Sequence, residues 1–199
     1  MKKLLSIAMC LCLALSIVGC DKDDDSENGG SSGKTYDVGD YYNEGGVKGI
    51  VYKVTNGGKN GMIISMDEGT NLAWQKETST STGATDEKDG TKNMAKIKAS
   101  SSGIAQFPAF KWCDDKNKGG VTGWYLPAKD EVLEISQSYL ALQVELQANG
   151  GSTFGSNQVW SSTEDDVYLA YYIDMNNKRA REYDKNSAHG FVVRAVKSF

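Results

Sequence analysis

Val159-Trp160-Ser161-Ser162-Thr163-Glu164, Val167-Tyr168-Leu169-Ala170-Tyr171-Tyr172-Ile173-Asp174, Arg179-Ala180-Arg181-Glu182-Tyr183 and Gly190-Phe191-Val192-Val193-Arg194-Ala195-Val196 follow one another through the last quarter of the chain. Apolar and polar residues alternate along these runs, the pattern of strands half-buried on one face. Asn176-Asn177 separates the longest run from Arg179–Tyr183, and both residues tolerate the positive φ that a tight hairpin turn needs. The stretch therefore predicts a strand, a two-stranded hairpin and a closing strand. In the first hairpin strand Val167, Leu169, Tyr171 and Ile173 form the more apolar set and are expected to face the core. Tyr168, Ala170, Tyr172 and Asp174 then point the other way, beside the basic run from Lys178 to Arg181.

Working back toward the N-terminus, Tyr139 to Gln147 reads as a helix stopped by Asn149-Gly150-Gly151. Before it, Trp124-Tyr125-Leu126-Pro127 reads as a short strand running into a helix through Val132, Leu133 and Ile135. Asp130 and Glu131 suit the first turn of that helix. Phe107 to Cys113 predicts another helix, with Pro108 where its missing N–H costs nothing. Asp89 or Thr91 can cap one through Met94 and Ile97. Val47 to Thr55 and Gly61 to Met66 pair as a hairpin about the Asn56–Gly61 turn, and Leu72-Ala73-Trp74 reads as a further short strand. Residues 78–89 and 114–120 are polar loops. Strands at both ends with helices between them predict an α+β fold.

Residues 1–19 have the form of a signal peptide: Lys2 and Lys3, an apolar run from Leu4 to Val18 too short to span a bilayer, then Gly19-Cys20. Ile17-Val18-Gly19-Cys20 resembles a bacterial lipobox, which implies acylation of Cys20 and anchoring to outer-membrane lipid. Residues 20–34 are acidic, then rich in glycine and serine. They read as a disordered tether that reaches at most about 45 Å. Lys22 followed by Asp23, Asp24 and Asp25 resembles the surface-export signal of Bacteroidetes lipoproteins, so an outer-surface location is expected. Residues 35–199 form one domain.

The net charge is −4, from 22 Lys and Arg against 26 Asp and Glu, and loss of Lys2 and Lys3 makes it more negative still. That balance speaks against a nucleic-acid partner. Three of the 4 cysteines lie in the first twenty residues, which leaves Cys113 with no disulfide partner in the domain. The core must therefore hold the fold.

The order Trp124-Tyr125-Leu126-Pro127-Ala128, Trp160-Ser161-Ser162-Thr163-Glu164, Tyr171-Tyr172 and Val192-Val193-Arg194-Ala195-Val196 resembles the Fibrobacter major paralogous domain and the C-terminal domain of the Legionella collagen-like adhesin. The resemblance spans most of residues 40–199. It implies a C-type-lectin-like fold, cell-surface adhesion or ligand binding, and no established enzyme activity. The Glu/Gln-Pro-Asn/Asp loop and Trp-Asn-Asp strand of calcium-dependent lectins are absent, so no metal and no cofactor are expected.

The candidate ligand-binding residues are Tyr168, Asn176, Asn177, Lys178, Arg179, Arg181, Tyr183 and Lys185, with Asp184 and Asn186 beside them. Tyrosine offers large contact area at low entropy cost, while Asn and Arg offer adaptable hydrogen bonds. The ligand is a glycan or a protein; an acidic or polyhydroxylated glycan suits an aromatic and cationic surface. A structural subunit of a fimbria-like assembly is the alternative reading, and a surface hydrolase is the third. Other residues read as structural. His189 lacks a second zinc ligand. Cys113 reads as a small buried hydrophobe and lacks a base. Trp124 and Trp160 read as core, and Glu164-Asp165-Asp166 and Asp114-Asp115 as solvated acidic loops. Glu87, Asp130 and Glu131 have no spacing that defines an acid/base pair.

Overall fold

Two small sheets frame the molecule in a computed structural model that describes residues 33–77 and 80–199. Residues 1–32, which hold the expected signal, Cys20 and most of the tether, lie outside the described residues. The first sheet has the order β1 (Tyr41–Glu44), β2 (Val47–Thr55), β3 (Asn60–Ser65), β9 (Val196–Ser198), antiparallel throughout. The second has the order β4 (Gly69–Thr70), β8 (Phe191–Val193), β5 (Gln158–Glu164), β6 (Leu169–Asp174), β7 (Arg179–Asp184). Its β5–β8 pair is parallel and the rest antiparallel. Four helices lie between β4 and β5 in sequence: α1 (Gly90–Lys98), α2 (Pro108–Asp114), α3 (Lys129–Gln137) and α4 (Tyr139–Ala148). The fold is α+β.

Local chemistry sets these boundaries. The Asp89 carboxylate accepts from the N–H groups of Thr91 and Lys92 and caps α1. Pro108 opens α2. Gly150, at φ +74°, takes the left-handed position past α4. Gly90 sits where a Cβ would come within 2.4 Å of the Leu126 carbonyl oxygen, so only glycine lets α1 start against the Trp124–Ala128 segment. Ala128 has no capping side chain; instead the Glu131 carboxylate reaches back to the Ala128 N–H at 2.7 Å.

Three readings of the sequence are corrected. Leu72-Ala73-Trp74 is not a strand; the short strand is Gly69–Thr70. Trp124 to Pro127 makes a single bridge, Tyr125 to Val196. The closing strand is two strands, because β8 joins the second sheet and β9 the first. Arg194 stands at the bend between them. It is fully buried and donates to the carbonyls of Ser65, Asp67 and Ser152 and to the Glu68 carboxylate at 3.1 Å. One guanidinium thus ties both sheets to the loop before Phe154, over whose ring it sits at 4.3 Å.

The Trp160–Glu164 run is the other fastener. β5 is buried along nearly its whole length, and its polar side chains hold loops. The Ser161 carbonyl accepts from Trp74 Nε1 at 2.8 Å, and Ser162 Oγ accepts from Asn93 Nδ2 at 3.0 Å. Thr163 Oγ1 donates to the Asp86 carbonyl and accepts from the Lys129 N–H. Trp160 and Trp124 belong to the core, as expected, and Trp74 packs edge-on to Phe107 and Phe110. Burying each such side chain contributes about 1.5–3 kcal/mol. Cys113 is also buried, and burial pushes its thiol well above the ordinary range, so it carries no reactive thiolate at neutral pH.

Candidate functional site

The hairpin of β6 and β7 forms as expected, with Asp174 opposite Arg179 and Leu169 opposite Asp184. Its turn differs from the expected one. Asp174 Oδ1 accepts from the N–H groups of Asn176 and Asn177, and Asn177 Nδ2 donates to Asp174 Oδ2 at 2.6 Å. These bonds make a four-residue loop in which Lys178, not Asn176 or Asn177, has the positive φ, +54°.

Alternation along β6 is also not what the apolar count suggests. Ala170 and Tyr172 are buried together with Ile173, whereas Leu169 and Tyr171 are half-buried. Both faces of β6 are covered. On one side α3 packs against β5 and β6, and Lys129 Nζ lies 4.8 Å from the Tyr171 ring. On the other, Trp160 and Phe191 stack at 4.1 Å and Tyr172 meets Phe191 edge-on at 5.1 Å. Tyr172 therefore does not point outward into solvent. Tyr168 does, at 61 % exposure.

β7 is the edge strand and is exposed at every position but Ala180. Cross-strand partners share a face, so Arg181 lies with Tyr172, Tyr183 with Ala170 and Arg179 with Asp174. Arg179, Arg181 and Tyr183 thus stand in a row on the aromatic side of the sheet. Tyr183 leans on Phe191 with centroids 5.1 Å apart and remains 48 % exposed. Burial raises the Tyr172 hydroxyl pKa, and the nearby Arg181 charge opposes that shift. Glu182 and Asp184 fall on the opposite face, with Tyr171 and Leu169. Among the described residues no carboxylate pairs with Arg179 or Arg181. Asn176, Asn177 and Lys178 are exposed at the end of the same hairpin.

Lys185 is a correction: it is fully buried and has no place on a binding surface. Its ammonium donates to Glu164 Oε1 at 2.5 Å and to the carbonyls of Asp166 and Val167. Glu164, expected in a solvated acidic loop, is buried with it and accepts from Ser81 Oγ and the N–H groups of Thr82 and Gly83. Burial works to raise the Glu164 carboxyl, but Lys185 and these donors outweigh it and hold the pKa below the usual carboxylate range. The pair fastens the 80–84 loop, whose Ala84 is fully buried, to the β5–β6 turn. Asp165 and Asp166 are exposed, and Asp165 accepts from the Tyr171 hydroxyl at 2.7 Å, which helps push that hydroxyl up to about 12.

A second concave feature was not legible in the sequence. A cleft of about 680 Å³ opens between the β2–β3 hairpin and the start of α3, lined by Tyr52, Lys53, Asp130, Glu131, Glu134 and Phe199 among others. Glu131 is engaged there: it accepts from the Tyr125 hydroxyl at 2.6 Å and from the N–H groups of Ala128 and Gly90. Burial raises its carboxyl despite these bonds. Glu87 instead pairs with Lys129. Lys53 and Glu134, 81 positions apart, pair across the cleft at 2.8 Å. Among the described residues no group of three His, Cys, Asp or Glu is placed to hold a metal ion, and no helix is long and apolar enough to cross a membrane.

The fold is a two-sheet α+β domain that presents an aromatic and cationic edge hairpin. The chain belongs to the Lcl C-terminal domain family, whose sequence model matches residues 64–197. The matched span begins within β3 and ends within β9, and so contains the Trp124, Trp160 and Arg194 motifs. A fimbrial protein from Bacteroides ovatus ATCC 8483 has a similar fold, with a TM-score of 0.51 and 15 % identity over 70 % of this chain. The likeness covers 36 % of that protein, so this chain corresponds to little more than a third of its length. No curated protein sequence matches the chain.

Proposed function

We propose that the protein is a non-enzymatic, cell-surface binding or adhesion module that meets its ligand on the outer face of the β6–β7 hairpin. The observation that carries this reading is the row of Arg179, Arg181 and Tyr183, two guanidiniums without a carboxylate partner beside a half-exposed ring. Unpaired guanidiniums beside a rigid aromatic suit an anionic or polyhydroxylated glycan. Membership of an adhesin-derived family supports the surface role. In this reading residues 1–19 are removed, acylated Cys20 anchors the protein in the outer membrane, and residues 20–34 hold a C-type-lectin-like domain, 35–199, away from it. Cys20→Ala should release the protein from membranes. Whole-cell protease should digest the wild type; protection of a membrane-bound protein would overturn the outer-surface location.

The reading is tested by a glycan and host-protein array with the wild type and the variant in which Arg179, Arg181 and Tyr183 are alanine. Loss of signal in a folded variant supports it, and unchanged signal overturns it.

A second reading, a subunit of a fimbria-like assembly, is favoured by one feature. Leu140 and Val144, one turn apart on α4, are 74 % and 63 % exposed. The fold likeness to a fimbrial protein is in keeping with it. Light scattering over a concentration series would separate the two readings. Association abolished by Leu140→Lys favours assembly, and a monomer at every concentration counts against it.

A further inference from the structure

The cleft between the β2–β3 hairpin and α3 has a chemistry unlike that of the cationic β7 face. Its volume, about 680 Å³, lies in the range of small-molecule sites. Three carboxylates and two ammonium groups line it, but most are already engaged. Glu131 is held by three donors, and Glu134 is neutralised by Lys53 at 2.8 Å. That leaves one carboxylate, Asp130, and one ammonium, Lys88; neither has an ion-pair partner among the described residues. With Glu131 held by neutral donors only, the three carboxylates against two ammonium groups leave the lining one negative charge, which disfavours an anionic ligand.

Tyr52 supplies the second observation. It is only 4 % exposed, yet it lines the cleft and its hydroxyl makes no hydrogen bond to another described residue. Its ring is buried, but its hydroxyl is not among the buried unpaired polar atoms; it opens to the cleft, where it is free to donate to or accept from a ligand. Both neighbouring glutamates, Glu131 and Glu134, disfavour its ionisation, as does burial, the larger effect, so it stays a neutral hydroxyl. Asn60, Thr55 and Ser198 add groups that both donate and accept. Met62 and Phe199 supply an apolar side, and the Phe199 ring is held by Tyr42 and Tyr36 at 4.8 and 5.2 Å.

We propose that this cleft, built on Tyr52, Asp130, Lys88 and Phe199, is a second binding site that takes an uncharged sugar unit of an oligosaccharide. A sugar hydroxyl can donate to Asp130 while accepting from Lys88 or Tyr52, and the C–H face of the ring packs on Phe199. A cationic ligand would satisfy Asp130 and leave Lys88 and Tyr52 without an acceptor. The site is independent of the β7 face and does not rest on it.

The test is saturation-transfer NMR on the full chain in a detergent without a sugar headgroup. The probes are uncharged oligosaccharides of mannose, galactose and N-acetylglucosamine, with oligolysine as the cationic control. At least one uncharged oligosaccharide should receive saturation from the wild type. Asp130→Asn and Tyr52→Phe should each weaken that binding by about tenfold. The variant with alanine at 179, 181 and 183 should bind these probes like the wild type, which separates failure of this site from failure of the β7 reading. Asp130 is half-buried and its side chain makes no hydrogen bond, so Asp130→Asn keeps the test open should Tyr52→Phe fold poorly. No transfer from any uncharged probe, unchanged binding in a folded Asp130→Asn variant, or binding of oligolysine alone would overturn the proposal.

Discussion

Lys185 and Glu164 show how far a residue's role can lie from its appearance in sequence. The lysine sits among exposed polar residues, and nothing local marks it as buried, because its partner lies 21 positions earlier in what reads as an acidic loop. Removing one member of a buried ion pair strands the other's charge, so Lys185→Met should cost about 3–5 kcal/mol in urea unfolding. Adding Glu164→Gln to that variant should recover part of the loss; a cost under about 1 kcal/mol for Lys185→Met would mean the pair is not clamped. The same pair has a pH signature. A native carboxyl pKa below its unfolded value means that the native state binds fewer protons than the unfolded state in that range. The stabilisation from Glu164 is therefore complete above pH 4.5, the ordinary value, and is lost as pH falls through the lower native value. The melting temperature of the wild type should fall below that point more steeply than that of Glu164→Gln. Arg194 makes a parallel case: its fork serves three carbonyls and one carboxylate, a geometry that a lysine cannot reproduce, so Arg194→Lys should be strongly destabilising rather than conservative.

Elements were legible where their ends carry local chemistry. Asp89, one of the two caps the sequence offered for α1, Pro108 at the start of α2, Gly150 after α4 and the Asn56–Gly58 turn, inside the expected Asn56–Gly61 turn of the β2–β3 hairpin, each act on the backbone next to them. Asp89→Ala should lower stability by about 1 kcal/mol through the lost cap, measurable by thermal unfolding. Faces were less legible. The period-2 rule assumes one buried side, but β6 has α3 on one side and the Trp160–Phe191 cluster on the other, so its more apolar residues are not the most buried ones. The turn after it differs from the expected one because Asn takes positive φ more readily than Lys, yet the Asp174 hydrogen bonds hold Asn176 and Asn177 and leave Lys178 to take it. On α4, the apolar Leu140 and Val144 stay exposed. Leu140→Lys should leave monomer stability within about 0.5 kcal/mol, because the side chain has little packing to lose.

At the scale of the whole molecule, buried polar fasteners hold the two sheets together, and the proposed recognition surfaces are the edge hairpin and the cleft beside α3. The Trp160–Glu164 and Val192–Val196 motifs that carried the family resemblance prove to be those fasteners, which is why they marked the fold and not the ligand. The cleft was hidden because its walls, β2 and α3, are distant in sequence. The central claim concerns the hairpin: Arg179, Arg181 and Tyr183 form a ligand-facing row that contributes little to stability. Exposed substitutions usually cost under about 0.5 kcal/mol each, whereas loss of central contacts in an interface costs about 2 kcal/mol or more. The direct measurement is ligand affinity and melting temperature side by side, for the wild type and for the variant with alanine at all three positions. The account predicts that the array-identified ligand is bound at least thirtyfold more weakly while the melting temperature moves by a few degrees at most. Undiminished affinity in a folded variant would contradict it.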